Sequence, residues 1–291
     1  MNNRNPGREH ELAIRLALAL TYGLKNDATI SFVKAHPRAD FINELALQIR
    51  SSLNDLIILP TGGCALDIRD ATQDDSIGPS DLVIQYSVEK DNYELGISAK
   101  FETDVSHNPS GRKFLSADQV EKLKNTLRKI TIPEYIFEMT CKYGERIPSS
   151  DGRDNWYRKP SEVTSDFIYK IGQIVADRWN NSLDLDKKRI IANDLSHTKA
   201  SIPYIVIRID GPPYKVRIVD EDRPKISFLD VDNVECVPKE KSQYVYFFNC
   251  TLRNAPIARM QVKFNNGILR VKGGKTIIGD PFGSWNFEFL V

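Results

Sequence analysis

Cysteine, histidine and long apolar runs are all scarce in this chain, and each scarcity excludes a class of protein. Only four cysteines occur in 291 residues: Cys64, Cys141, Cys236 and Cys250, far apart and with no CxxC pair. That spacing gives no disulfide framework and reads as reduced thiols. The four histidines (His10, His36, His107 and His197) are equally scattered, so no zinc-ligand set is expected. No apolar run approaches the roughly 20 residues that a spanning helix needs. The opening Met1-Asn-Asn-Arg-Asn-Pro-Gly-Arg8 is polar, unlike an export signal. Together these absences predict a cytoplasmic protein with no membrane partner. There is no internal repeat and no Gly-x-x-x-x-Gly-Lys-[Ser/Thr] phosphate loop, which argues against a solenoid and against ATP-driven work. An excess of one charge is also missing. Forty basic and 39 acidic residues leave a net charge of +1, so no overall field announces a polyanionic partner. A basic cleft opposite an acidic surface gives the same total.

What is present suffices for a large core without metal or disulfide staples: 41% of residues are hydrophobic and 27% charged, an ordinary globular composition. Good helix formers run from Arg8 to Leu24, with Leu12, Leu16, Ala19 and Leu20 on one stripe and Glu11, Arg15 and Leu18 on a neighbouring one. Asp40 can cap a second helix to about Leu53, carrying Ile42, Leu45 and Ile49 at the 3–4 spacing. A polar, Gly-rich stretch follows from Thr61 to Ser80. A helix is expected from about Ser116 to Ile130, and mainly helical structure from 131 to 199. From Ile202 onward β-type residues dominate. Tyr204–Ile209 is expected to return to the central sheet. Further strands are expected at Lys215–Val219, Ile226–Val231, Tyr244–Asn249, Ala258–Phe264 and Ile268–Val271, with Asn266-Gly267 as a hairpin turn.

The central segment carries the chemistry. Asp81-Leu-Val-Ile-Gln-Tyr86 and Tyr93-Glu-Leu-Gly-Ile-Ser-Ala-Lys100 read as two strands of a hairpin. Alternate side chains of a strand share a face, so Ser98 and Lys100 point the same way. A turn centred at Glu89–Lys90 puts Asp81 opposite Ser98. Asp81, Ser98 and Lys100 then converge at one end of the sheet. Phosphodiester cleavage needs such a grouping: a hard divalent cation on oxygen ligands and a cationic group to orient the attacking water. One carboxylate and a serine bind magnesium weakly, so a further acid is expected, Glu11 first and Glu44 next. The same residues also fit turn chemistry at Asp81 and a solvated strand end at Lys100.

Pro79-Ser-Asp81 followed by Ile97-Ser-Ala-Lys100 resembles the divided motif of the PD-(D/E)xK nucleases, with serine at the position of the second acid. Asn5-Pro-Gly-Arg-Glu-His-Glu11, Gly96-Ile-Ser-Ala-Lys100, Val105-Ser-His-Asn108 and Gln261-Val-Lys-Phe-Asn-Asn-Gly267 are similar to segments of the HaeIII-type restriction endonucleases. The resemblance leaves about 130 to 200 almost uncovered. It implies that Asp81 and Glu11 bind Mg2+ with Ser98 in the second-acid position, and that Lys100 orients water. Glu94 and Glu102 share the strand parity of Ser98 and are further candidates for the missing acid. The implied protein is a type II restriction endonuclease. It would cut double-stranded DNA at a short specific site, leaving 5′-phosphate and 3′-hydroxyl ends. It would act as a homodimer alongside a cognate DNA methyltransferase. A repair or junction nuclease on the same fold, or a non-catalytic DNA-binding protein, remains the alternative.

The loop after the hairpin holds donors suited to phosphates and base edges: His107, Asn108, Ser110, Arg112 and Lys113. It reads equally as a solvated loop. The expected fold is mixed α/β, a restriction-endonuclease-like core flanked by helices with a C-terminal β-rich portion. Residues 1–200 would form the nuclease core with a helical insertion at about 131–199. Residues 201–291 would complete it.

Overall fold

The computed structural model describes residues 6–24, 27–54, 56–71, 80–101, 108–144, 159–198, 200–252, 255–272 and 275–290. The fold is mixed α/β, as expected. No described helix is long and apolar enough to cross a membrane. The chain forms two compact units, and both are discontinuous: residues 1–104 with 197–221 and 291, and residues 105–196 with 222–290.

The first unit is built on a five-stranded sheet in the order β1-β2-β3-β4-β5: β1 Gly63–Asp70, β2 Leu82–Val88, β3 Asp91–Phe101, β4 Tyr204–Asp210 and β5 Lys215–Val219. The hairpin of β2 and β3 turns at Glu89 and Lys90, with Val88 paired to Asp91 and Leu82 to Ile97. Glu89 adopts the left-handed φ of 56° there. β4 returns beside β3 in parallel, and all other neighbours are antiparallel. The helices α1 (Pro6–Thr21), α2 (Asp27–Lys34) and α3 (Ala39–Leu53) belong to this unit. Their apolar stripes, Leu12, Leu16 and Leu18 of α1 with Ile42, Leu45 and Ile49 of α3, share a core with Leu82, Ile84, Ile97, Ile207 and Ile209. Those strand residues mark one face of the sheet. The opposite face carries buried Val83, Gly96 and Val206 together with Asp81, Gln85, Glu94, Ser98, Lys100 and Arg208, by alternation.

The second unit joins α4 (Ala117–Thr126), α5 (Ile132–Tyr143), α6 (Glu162–Asp177), α7 (Leu185–Leu195) and α8 (Asp222–Leu229) to two antiparallel sheets. One has the order β11-β8-β7-β6: β6 Val234–Pro238, β7 Tyr244–Asn249, β8 Pro256–Gln261 and β11 Asn286–Phe289. The other pairs β9 (Asn265–Lys272) with β10 (Lys275–Asp280). Its core holds Tyr135, Ile171, Trp179, Phe228, Phe247, Trp285 and Phe287. Strand β6 lies at an edge. Its backbone is met by the π-helical turn Arg178–Ser182, where Trp179 donates to the Val234 carbonyl at 2.9 Å. Asn180 both donates to the carbonyl and accepts from the N–H of Cys236, at 2.8 and 2.9 Å. An amide side chain thus substitutes for a neighbouring strand.

Several expectations are corrected. The division anticipated at residue 200 is replaced by the interleaved units, because the helices after residue 116 bury their apolar faces with the C-terminal sheet. Ile226–Val231 was expected as a strand, but 222–229 is helical: Pro224 sits in its first turn and Phe228 is buried while Ile226 is exposed. Asn266-Gly267 lies inside β9 instead of forming a turn. β1 arises within the stretch read as a polar connection. A bulge between Ala65 and Asp67 breaks its alternation, so Ala65 and Ile68 are the buried positions and Leu66 is exposed.

Candidate active site

The register makes Asp81 the neighbour of Ser98, one position beyond the Leu82–Ile97 pair. The strand departs from regular pairing there. The Asp81 N–H donates to the Ile97 carbonyl at 2.8 Å, and its own carbonyl accepts from Ala71 N–H at 3.0 Å. The carboxylate takes over on the β3 side: Oδ2 accepts from Ala99 N–H at 2.6 Å. Asp81 is thereby fixed to β3 through its side chain. Burial raises its pKa above the ordinary value, against the opposing pull of Lys100 and the Ala99 N–H.

Ser98 is fully buried, and among the described residues its hydroxyl has no hydrogen-bond partner; nor has the buried hydroxyl of Ser80. Buried hydroxyls are normally satisfied, so two orphans beside one carboxylate are unusual. Lys100 lies two residues on, half-buried on the same face, and among the described residues it forms no hydrogen bond or ion pair. Gly96 completes the floor. A Cβ there would fall 2.0 Å from Ser80 Oγ, so the segment entering β2 rests directly on β3.

The first-choice supplementary acid is placed differently from expectation. Glu11 lies exposed on α1, whereas Glu9 is buried and ion-paired to Arg38. Beside it, His10 stacks on Phe101 with ring centroids 3.5 Å apart, which brings the start of α1 to the end of β3. Glu44 is exposed on α3 and bonded by Gln48 at 3.3 Å. Glu94 accepts from Gln85 and Arg69, both at 2.9 Å, and these bonds, that from Gln85 first, hold its carboxyl below the usual range. Glu102 and His107 lie outside the described residues. Among the described residues no three acidic, histidine or cysteine side chains cluster as a metal site.

The donor set nevertheless fits magnesium in part. This ion keeps several waters and takes one or two protein carboxylates. Among the described residues, Asp81 commits only Oδ2 to a hydrogen bond and the Ser98 hydroxyl is an oxygen without a partner. A cation there would favour the charged form that burial penalises.

Sequence reasoning missed the next row of the same face. Lys100 pairs with Arg208, and Arg208 with Arg217. Asp210 accepts from Arg208 Nε at 2.7 Å and lies 3.6 Å from Arg217 Nε. The bond from Arg208 holds the Asp210 carboxyl below the usual range. The parity of β4 was the available signal, since Arg208 alternates with buried Ile207 and Ile209.

The proposed DNA-contacting loop belongs to the second unit. Asn108 is exposed and Ser110 half-buried. Arg112 donates to the Phe282 carbonyl at 3.2 Å and to Asp280 at 2.9 Å, and Lys113 pairs with Asp194. Gly111 N–H donates to Gly283 at 2.8 Å, and the Trp285 ring packs so closely that a Cβ on Gly111 would lie 2.4 Å from it. This segment is therefore pinned by its own unit, and its two cations already have acidic partners.

No protein-family model matches the chain, and neither curated proteins nor solved structures include a similar one.

Proposed function

We propose that the protein is a magnesium-dependent deoxyribonuclease acting on double-stranded DNA, with its site at the polar end of β3. The observation that carries this reading is the half-buried Asp81 carboxylate, locked to Ala99 N–H beside the uncommitted Lys100 ammonium and the orphaned Ser98 hydroxyl. A carboxylate held at a desolvation cost next to a cation is a frequent mark of a working site.

Magnesium, when bound, supplies a water of lowered pKa and offsets charge on the phosphoryl oxygens. Asp81 would hold that ion, with the Ser98 hydroxyl adding a neutral oxygen. Lys100 orients the attacking water in line with the scissile bond and takes up part of the negative charge as it develops. The resemblance extends the proposal to a type II restriction endonuclease: a site-specific homodimer paired with a DNA methyltransferase, leaving 5′-phosphate and 3′-hydroxyl ends. Two-fold symmetry of protein and site is the simplest way to cut both strands.

The test is digestion of a sequenced supercoiled plasmid with and without Mg2+, using wild type, Asp81→Ala and Lys100→Ala. Mg2+-dependent cutting lost in both variants is expected, and discrete fragments would mark restriction. Cutting that survives either substitution would remove the site. The second reading, a DNA-binding protein without catalysis, is favoured by the lack of a three-acid cluster among the described residues. Duplex binding without cutting would select it.

A further inference from the structure

Across the polar face of the first unit's sheet, Lys100, Arg208 and Arg217 stand abreast on three adjacent strands. Neighbouring strands are about 4.8 Å apart, so the row spans about 10 Å. Like charges directly opposite one another destabilise a sheet, and here three follow in succession. Asp210 is bonded to Arg208 and ion-paired to Arg217, whereas Lys100 faces the Asp81 carboxylate. Lys215 sits opposite Asp210 and adds a further cation at the start of β5. The row occupies the carboxyl end of the parallel pair β3 and β4, where sheets of this kind place their ligands.

The geometry points to Arg208 and Arg217 as a phosphate-binding track that receives the DNA backbone next to the scissile phosphate. This rests on the nuclease reading of Asp81 and Lys100 and extends it along the strand of substrate. The two arginines are positioning residues. They neutralise phosphates neighbouring the one that reacts and carry no sequence information. Asp210 competes with those phosphates for the guanidinium groups, so it tempers affinity and keeps the row folded when no DNA is bound.

Counterion release gives the measurement. Each phosphate contact contributes about −0.9 to the slope of log affinity against log salt. Binding of a fluorescein-labelled DNA duplex, followed by anisotropy without Mg2+, reads that slope independently of cleavage. Raising salt from about 50 to about 200 mM should weaken the wild type about 3.5-fold more than Arg217→Gln, and about 12-fold more than Arg208→Gln/Arg217→Gln. Asp210→Asn should bind more tightly than the wild type. Arg217 is more than half exposed, so its single variant remains decisive if the double variant does not fold. An unchanged slope in folded Arg217→Gln overturns the track, even where the enzyme cuts DNA. A wild type that binds no duplex at low salt overturns it too. A slope that falls as stated in a protein that cuts nothing upholds the track and rejects the nuclease reading.

Discussion

Gly96 lies where the chain entering β2 crosses the polar face of β3, and a methyl group at that position has no room. A Cβ built there falls 2.0 Å from Ser80 Oγ and 3.0 Å from both Ser80 Cβ and Tyr204 Cβ. Rotation of the Ser80 hydroxyl relieves the first contact. It leaves the other two, since both Cβ atoms are attached to backbone. Relief in Gly96→Ala therefore requires the segment at Ser80 to lift or the start of β4 to shift. Overpacking of this kind costs about 1–3 kcal/mol. At about 2–4 °C per kcal/mol for a chain of this size class, Tm should fall by about 2–12 °C. Activity should suffer more than stability. Asp81 follows Ser80 directly, and a displacement of about 1 Å at a reacting group costs on the order of 100-fold in rate. The assay is a thermal melt together with plasmid cleavage for Gly96→Ala, Ser80→Gly and the double variant. Ser80→Gly removes two of the three close atoms, so it should recover most of the lost stability. A Gly96→Ala protein that melts within about 1 °C of wild type and cuts at the wild-type rate would refute the reasoning.

Other outcomes follow from the same geometry. Asp81→Asn keeps an acceptor for Ala99 N–H and removes a charge that burial disfavours. Because the folded pKa is raised, the folded state holds its proton longer, and wild-type stability falls as pH climbs from the ordinary 3.8 through the raised value. The variant should therefore melt at or above the wild-type temperature at neutral pH, with the advantage vanishing in acid, while cleavage is abolished. A variant less stable at every pH would contradict this. Mg2+ at about ten times its dissociation constant should stabilise the wild type by about 1.4 kcal/mol and leave the Tm of Asp81→Asn unmoved; equal shifts in both would place the ion elsewhere. Asn180→Ala strands the N–H and carbonyl of buried Cys236. That should cost about 2–4 kcal/mol, read as a lower denaturation midpoint, and a loss under about 0.5 kcal/mol would mean that water replaces the amide.

The sequence carried the hairpin of β2 and β3 almost to the residue, because a two-residue turn and a strict two-residue period leave one register open. It also carried the helical stripes of α1 and α3 and the return of β4. Bulged or edge strands were harder to see. In β1 the bulge moves the buried positions from Ala65 to Ile68, which cancels the period. In α8 the run Ile226-Ser-Phe-Leu229 has strand-forming composition, and packing of Phe228 decides for a helix. The candidate site was legible as a grouping where it lies within one hairpin, at Asp81, Ser98 and Lys100. Arg208 and Arg217 escaped because parallel pairing joins residues about 100 positions apart, and no local pattern encodes which strand will lie beside which. Glu9 and Glu11 differ by two positions on one helix, and only the turn of α1 against its neighbours sets which is buried.

That parallel pairing also sets a schedule for synthesis. Strand β3 leaves the ribosome with β2 already beside it, but its other neighbour, β4, comes only after residues 105–196 have been made. At about 5–20 residues per second, the nascent chain spends about 5–20 s with that edge of β3 open. The helices made in the interval wait in turn for β6 to β8 to offer them a core. A truncated product ending before Tyr204 thus holds Asp81 and Lys100 without the parallel strand that borders them. Under the proposed function, competence to act on DNA would be reserved for chains translated past β4 and β5.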